Sequence, residues 1–160
     1  MSVIIESIKP GDNAGIEAVI KSVLEEHGVN KPGTAYFDAS LKDMYTFYTV
    51  PASTYFIAKL DGKLIGGAGI YPTEGLPYGT CELVKMYLLP ETRGKGYGKA
   101  LIDTCIEFAK HAGYKSIYLE TMNELSNAIG MYQQSGFNLL NAPLGNTGHF
   151  ACTIRMLKEI

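Results

Sequence analysis

The sequence predicts an α/β fold in which a mixed β-sheet carries helices packed on it. Three observations point there. Apolar residues recur at helical spacing in some segments, β-forming residues run together in others, and a strand, a glycine-rich loop and a helix follow one another in the second half of the chain. The resulting order, β-α-α-β-β-β-α-β-α-β-β, interleaves the two element types, which is how helices come to lie on a sheet.

Val3 to Lys9 reads as a short strand that Pro10-Gly11 ends. Asp12 can cap a helix whose apolar positions, Ile16, Val19, Ile20, Val23 and Leu24, make one buried stripe. His27 to Tyr36 is a loop with Gly28, Pro32 and Gly33. A second helix is expected from Asp38, with Leu41, Met44, Tyr45 and Tyr48 turned inward and Pro51 beyond its end. Ser53 to Leu60 and Lys63 to Ile70 flank Asp61-Gly62, a hairpin signal because both turn residues tolerate positive φ. Glycines 66, 67 and 69 predict that backbone or ligand approaches closely there. After the connection Tyr71 to Gly79, Cys81 to Leu89 is a strand stopped by Pro90.

Glu91 to Gly98 opens a helix that buries Leu101, Ile102, Cys105, Phe108, Ala109 and Ala112, with Gly113 as its stop. Ser116 to Met122 is a strand, Leu125 to Gln134 a helix ended by Gly136, and Phe137 to Leu140 and Phe150 to Leu157 the last two strands. Asn141 to His149 is the loop between them.

Composition narrows the function. The 160 residues fit one domain, 1–160, with 46% hydrophobic and 19% charged residues in a globular balance. Fourteen basic against sixteen acidic residues give a formal charge of −2, and without a basic excess no nucleic-acid partner is expected. Three widely spaced cysteines with no C-x-x-C argue against a disulfide framework and a zinc site, and for a reducing compartment. No metal is expected. The first residues lack a basic stretch followed by a long apolar one, and no run approaches the roughly 18 apolar residues of a membrane span. The expectation is a cytoplasmic protein with no membrane partner.

The chemistry concentrates in Arg93-Gly94-Lys95-Gly96-Tyr97-Gly98. Glycines let the backbone approach a ligand, the first N–H groups of the following helix point at it, and Arg93 and Lys95 add charge. Together they suit a pyrophosphate. The loop is neither a Walker loop, lacking Gly-Lys-Ser/Thr, nor a G-x-G-x-x-G dinucleotide fingerprint.

Arg93-x-x-Gly96-x-Gly98 between this strand and helix resembles the acetyl-CoA pyrophosphate loop of the GNAT superfamily of N-acetyltransferases. Ala128-Ile129-Gly130-Met131-Tyr132-Gln133-Gln134-Ser135-Gly136-Phe137 resembles that superfamily's A-hydrophobic-x-x-Tyr-x-x-x-Gly-Phe segment, in the same order and separation. The resemblance covers Cys81 to Phe137 strongly and the remainder loosely. It implies a GNAT-like fold: a central, mostly antiparallel sheet, splayed where the coenzyme inserts, with helices on both faces. It also implies acetyl-CoA as cosubstrate. Backbone around Met86, Tyr87 and Leu88 would hold the pantetheine arm, and Arg93, Gly94, Lys95, Gly96, Tyr97, Gly98 and Lys99 the pyrophosphate. Many members carry an Asn where this chain has Leu125; Asn123 and Asn127 flank it, and Asn127 is the candidate carried forward.

Direct attack of a neutral amine on a thioester needs a base, an oxyanion donor and a proton source for the thiolate. The resemblance makes Tyr132 the general acid and Glu82 the general base, with Glu120 a rival. His149 would contact substrate or relay a proton. Tyr36, Phe37 and Tyr45 would line an aromatic acceptor pocket, although core packing explains them equally well. His27 and His111 carry no assigned chemistry. The expected function is acetyl transfer to a primary amine, of a small molecule or amino acid because the short N-terminal helices leave no large recognition domain. A peptide N-terminus, an aminoglycoside-like drug and a protein lysine stay open as acceptors, and so does a homodimer. The reading from a different class is a CoA-binding sensor without turnover.

Overall fold

The computed structural model describes residues 2–160. Seven strands, β1 (Val3–Ser7), β2 (Thr54–Leu60), β3 (Lys63–Tyr71), β4 (Thr80–Leu88), β5 (Ser116–Thr121), β6 (Asn138–Leu140) and β7 (Ile154–Glu159), form one sheet in the order β1-β2-β3-β4-β5-β7-β6. Neighbours run antiparallel except β4 and β5, which are parallel. The α-helices are α1 (Asn13–Glu26), α2 (Met44–Phe47), α3 (Tyr97–His111) and α4 (Asn127–Gln134). Among the described residues no helix is long and apolar enough to cross a membrane.

Side chains alternate across a strand, so each face of the sheet needs its own cover. On one face the predicted stripe of α1, from Ile16 to Leu24, is buried against Tyr55, Ile57 and Val84. On the other, Leu101, Ile102, Cys105 and Ala109 of α3 pack with Ala58, Leu83 and Leu119, joined by Tyr132 of α4. Burying such side chains is worth about 1.5–3 kcal/mol each, which fixes both helices to the sheet.

Four expectations need correction. The second helix is broken: a 3-10 segment, Ala39–Lys42, precedes α2, and Asp43 between them accepts a bond from Thr46 N–H at 3.2 Å. That break resets the helical phase, so Leu41, Met44 and Tyr48 are buried while Tyr45 is exposed. Ala112 is also exposed, because α3 stops at His111 and Gly113 turns the chain away with φ +92°. The last strand starts at Ile154 rather than Phe150, since Cys152 N–H bonds back to the His149 carbonyl at 2.9 Å in a turn. β7 then enters between β5 and β6.

Two irregularities of β4 create the site. Its pairing with β5 ends at Glu82 opposite Tyr118, although β4 continues to Leu88 and β5 to Thr121. The sheet is splayed beyond that point. On its other edge, Gly67 pairs with Tyr87 but Gly69 with Val84, so β4 carries one extra residue, a β-bulge. Lys85 sits in it at φ +49°. The bulge is propped from behind: the Tyr55 hydroxyl donates to the Lys85 carbonyl at 2.6 Å. The Tyr55 ring passes so close to Gly67 that a Cβ there would lie 2.5 Å from it. The close approach expected at the β3 glycines is therefore made in part by the protein's own Tyr55.

Candidate active site

The first half of the site is a groove of about 530 Å³ on the splayed side, walled by Met86, Tyr87 and Leu88 of β4, the loop before α3, and Asn127, Ala128, Met131 and Tyr132 of α4. Gly96 caps α3 in the left-handed conformation, φ +85°, and a Cβ built there meets no atom within 4 Å. The space in front of the helix N-terminus is therefore open. Unpaired N–H groups at a helix start favour an anion there, so the groove fits an extended phosphorylated ligand.

The predicted loop residues divide. Gly94, Gly96, Gly98 and Lys99 line the groove, as Arg93 does. The Arg93 guanidinium, however, is already engaged. It donates to the Leu88 carbonyl at 3.2 and 2.9 Å and to both oxygens of Glu26 at 3.0 Å, tying the end of α1 to the end of β4. Glu26 is held below the usual carboxylate range, chiefly by this Arg93 bond. Lys95 is exposed and lies off the groove, and Tyr97 packs against the α3-side core instead of lining it. Leu125 borders the groove where the family often has Asn, with Asn127 beside it.

A second, smaller cavity of about 50 Å³ adjoins the groove and shares Met86, Tyr87, Thr121, Leu125 and Tyr132 with it. Glu82, Lys85, Glu120, His149 and Cys152 turn toward it. Glu82 points to the α1 side because its strand neighbours Cys81 and Leu83 fill the α3 side. It is 5% exposed, and Thr73 Oγ1 donates to its Oε1 at 2.5 Å. Burial, only partly offset by the Thr73 bond, pushes the Glu82 carboxyl up to about 7. A carboxyl near neutrality in a cavity is suited to proton transfer.

Glu120 stands on β5, the far lip of the splay, with Tyr118 donating to one oxygen at 2.6 Å and Thr147 to the other at 2.5 Å. One oxygen each of Glu82 and Glu120 and a ring nitrogen of His149 lie within 4.8 Å of one another. Metals use such donors too. Here both Glu120 oxygens accept hydrogen bonds and Asp38 holds His149.

Behind the trio sits a network the sequence reading missed. The bulge makes Val84 and Lys85 share the α1 face instead of alternating. The Lys85 side chain, 6% exposed, reaches Asp38 Oδ2 at 3.1 Å and the Tyr48 hydroxyl at 3.2 Å. Asp38 also holds His149 Nε2, at 2.9 Å to both oxygens. Burial opposes the Asp38 charge, but the His149 bond and the Lys85 charge outweigh it and its pKa is lowered. The one signal available was Lys85 itself, the single cation inside the run CELVKMYLL. Tyr36 needs correction: its hydroxyl donates to Glu25 at 2.6 Å and its ring lies under Lys21, so it braces α1 and does not line the cavity.

A sheet splayed beside a glycine-capped helix, with a buried carboxyl of pKa about 7 in the cavity at the fork, lets a phosphorylated ligand and a proton acceptor meet. The comparisons with known proteins agree and are more specific. Residues 17–137 match the Acetyltransferase (GNAT) family. The chain is 40% identical over 150 residues, 93% of its length and 90% of the relative's, to the uncharacterized N-acetyltransferase YjgM of Escherichia coli (strain K12). It is 32% identical over 114 residues to human N-acetyltransferase 8B, covering 67% of this chain but only 50% of that protein. In fold it is similar to a GNAT-family acetyltransferase of Staphylococcus aureus Mu50, with TM-score 0.87, 18% identity and 99% of both chains covered. It is also similar in fold to the PaiA N-acetyltransferase of Thermoplasma acidophilum solved with coenzyme A, with TM-score 0.76, 19% identity and 100% of both chains covered. The chain belongs to the GNAT acetyltransferase family and is an acetyl-CoA-dependent N-acetyltransferase.

Proposed function

We propose that this enzyme acetylates the primary amine of a small molecule or amino acid, with Glu82 as general base and Tyr132 as general acid. One observation carries the reading: the cavity holding a buried carboxyl of pKa about 7 opens onto the groove through shared residues, Tyr132 among them. Acetyl-CoA, bound along the groove, supplies the activated acetyl group. Gly94, Gly96 and the first turn of α3 would hold its pyrophosphate, and the unpaired edge of β4 at Met86 to Leu88 its arm.

Glu82 and Glu120 present carboxylates to an incoming ammonium, and Glu82 takes its proton. Tyr132, buried and with its pKa raised above the usual phenol value by burial and then by the neighbouring Cys105, keeps its proton at neutral pH and so is protonated when the thiolate departs. The inner cavity, at about 50 Å³, admits a compact head group, which supports a small acceptor over a folded protein surface. Three free cysteines, two of them buried, support a reducing compartment, and the reading places the enzyme in the cytoplasm.

The test is free-thiol release from acetyl-CoA over a panel of L-amino acids, alkylamines, aminoglycosides and lysine peptides. Turnover of a small amine is expected. Turnover of lysine peptides alone would overturn the acceptor class, and coenzyme binding without turnover of any amine would overturn the catalytic assignment.

A further inference from the structure

An ammonium that becomes an acetamide loses two protons. In the reading above, one reaches the coenzyme sulfur through Tyr132 and the other stays on Glu82. The net reaction, ammonium plus acetyl-CoA giving acetamide, coenzyme A thiol and one proton, requires that second proton to reach solvent before the next turnover. Glu82 is buried, and its hydrogen-bond partner is Thr73, a hydroxyl that already donates to it. Glu120 is a poor exit, since Tyr118 and Thr147 occupy its two oxygens. His149 remains. One of its two ring nitrogens lies within 4.8 Å of a Glu82 oxygen, within reach of a bridging water, and its side chain is 17% exposed.

We propose that Asp38 and His149 form a dyad that carries the proton from Glu82 to solvent, with His149 as the carrier and Asp38 as the positioning residue that fixes its ring. This rests on the assignment of Glu82 as base. The geometry of Asp38 supplies the tautomer. With both carboxylate oxygens 2.9 Å from Nε2, the N–H of the neutral imidazole belongs on Nε2, and Nδ1 is left with the lone pair. The proton leaves the Glu82 carboxyl and, by way of a bridging water, is taken up on Nδ1, O–H breaking and N–H forming; Nδ1 then releases it to solvent water while Nε2–H stays with Asp38.

Lys85 keeps the dyad in order. Its ammonium, anchored by the Tyr48 hydroxyl, shares the Asp38 carboxylate and keeps it ionised. The groups facing His149 are thus Asp38, Lys85, Glu82 and Glu120, with Cys152 on its own loop pushed up to about 12 by burial and so protonated. Burial lowers the His149 pKa, but the Asp38 bond and charge more than offset that and hold it above the ordinary value. Glu82 is raised to about 7, and it can pass its proton to an imidazole whose own proton affinity is held above the ordinary value.

The experiment uses the full chain, acetyl-CoA and the amine of the panel that is turned over fastest. His149→Gln should lower kcat by about 10–100-fold with the acetyl-CoA KM nearly unchanged. Asp38→Asn should act in the same direction, and the double variant should be no slower than His149→Gln alone, because residues working as a unit are not additive. Imidazole in the buffer should restore turnover to His149→Ala. With ¹⁵N-labelled histidine, wild type should show His149 as the Nε2–H tautomer, and Asp38→Asn should mix the tautomers and lower the pKa. Multiplying effects, no rescue by imidazole, or a raised acceptor KM with kcat intact would make the pair a brace or a substrate contact and overturn the relay. If Asp38→Asn does not fold, rescue of His149→Ala and the wild-type tautomer decide. A wild type that acetylates no amine overturns the acetyl-transfer reading and the relay with it, whereas active wild type with equally active His149→Gln overturns the relay alone.

Discussion

The two sides of the cleft are built from different material. The coenzyme side is a single run of chain, the end of β4, its loop and the start of α3, presenting mainly backbone and glycine, with α4 closing it. The acceptor side gathers side chains from distant places: Asp38 just before the 3-10 segment Ala39–Lys42, Glu82 and Lys85 on β4, Glu120 on β5, and Thr147 and His149 in the loop before β7. A backbone site tolerates changed side chains and fails when the chain path changes. A side-chain site fails one atom at a time. Substitutions on the two sides should therefore separate coenzyme affinity from turnover.

Glu82→Gln should give the largest effect. It keeps the side chain's shape and removes the base, so kcat should fall by about 10²–10⁴-fold while acetyl-CoA still raises the melting temperature. The wild-type rate should climb with pH through about 7, where Glu82 ionises, and that limb should vanish in the variant. The deficit should be greatest just above about pH 7, where Glu82 is ionised while the amine is still charged, and should shrink in acid, where wild-type Glu82 is itself protonated. Unchanged turnover would move the base to Glu120 or His149.

Gly96→Val attacks the other side. A β-branched residue at φ +85° is strained, and its side chain would stand in the open space before α3. Coenzyme affinity should drop by about 100-fold, roughly 3 kcal/mol, seen as loss of the melting shift with acetyl-CoA. Near-normal affinity would mean that the pyrophosphate lies elsewhere.

The same contrast explains what could be read from the sequence. The hairpin at Asp61-Gly62, the α1 stripe and the glycine loop are local patterns, and local patterns survive in a linear string. Glu82, Tyr132 and His149 were legible only through the family resemblance and its motifs. Asp38, Lys85 and Tyr48 were not, because a β-bulge decides which way Lys85 points, and that bulge depends on a Tyr55 ring lying over Gly67. Tyr36 and Tyr45 were misplaced for a related reason: the break at Asp43 and the bond to Glu25 are tertiary choices between faces that the sequence leaves equivalent.

Stability offers a smaller test. The Glu82 carboxyl binds its proton more tightly in the folded chain, at about 7, than at its ordinary 4.5. Its favourable contribution is therefore full below about 4.5, is lost as pH rises through about 7, and stays lost above. At 1.36 kcal/mol per unit, wild type should lose roughly 3 kcal/mol that Glu82→Gln retains. Denaturant melts should show the variant more stable above about pH 8 and equal to wild type in acid. Equal stability at both extremes would show that water solvates the carboxylate and that the cavity is wetter than its walls suggest.

Tyr132 gives the last and smallest effect, and it stands on the seam, since it lines both cavities. Its ring packs edge-on against Phe137, with centroids 6.1 Å apart, on the α3 side of the core. Tyr132→Phe keeps that packing and removes one oxygen, so fold and coenzyme affinity should hold. If the hydroxyl protonates the departing sulfur, kcat should fall by roughly 10-fold, the low end of general-acid effects because a thiolate leaves readily. The loss should appear in kcat and not in the acetyl-CoA KM, since the bond strengthens only as charge builds on sulfur. It should also be independent of the Glu82 limb of the pH profile, because the phenol does not titrate near neutrality. An acceptor-side substitution that lowers kcat through the base changes that limb, and a coenzyme-side substitution changes affinity; Tyr132→Phe should do neither. A well-folded variant with unchanged kcat would make Tyr132 a packing residue of the seam, and the sulfur would take its proton from water.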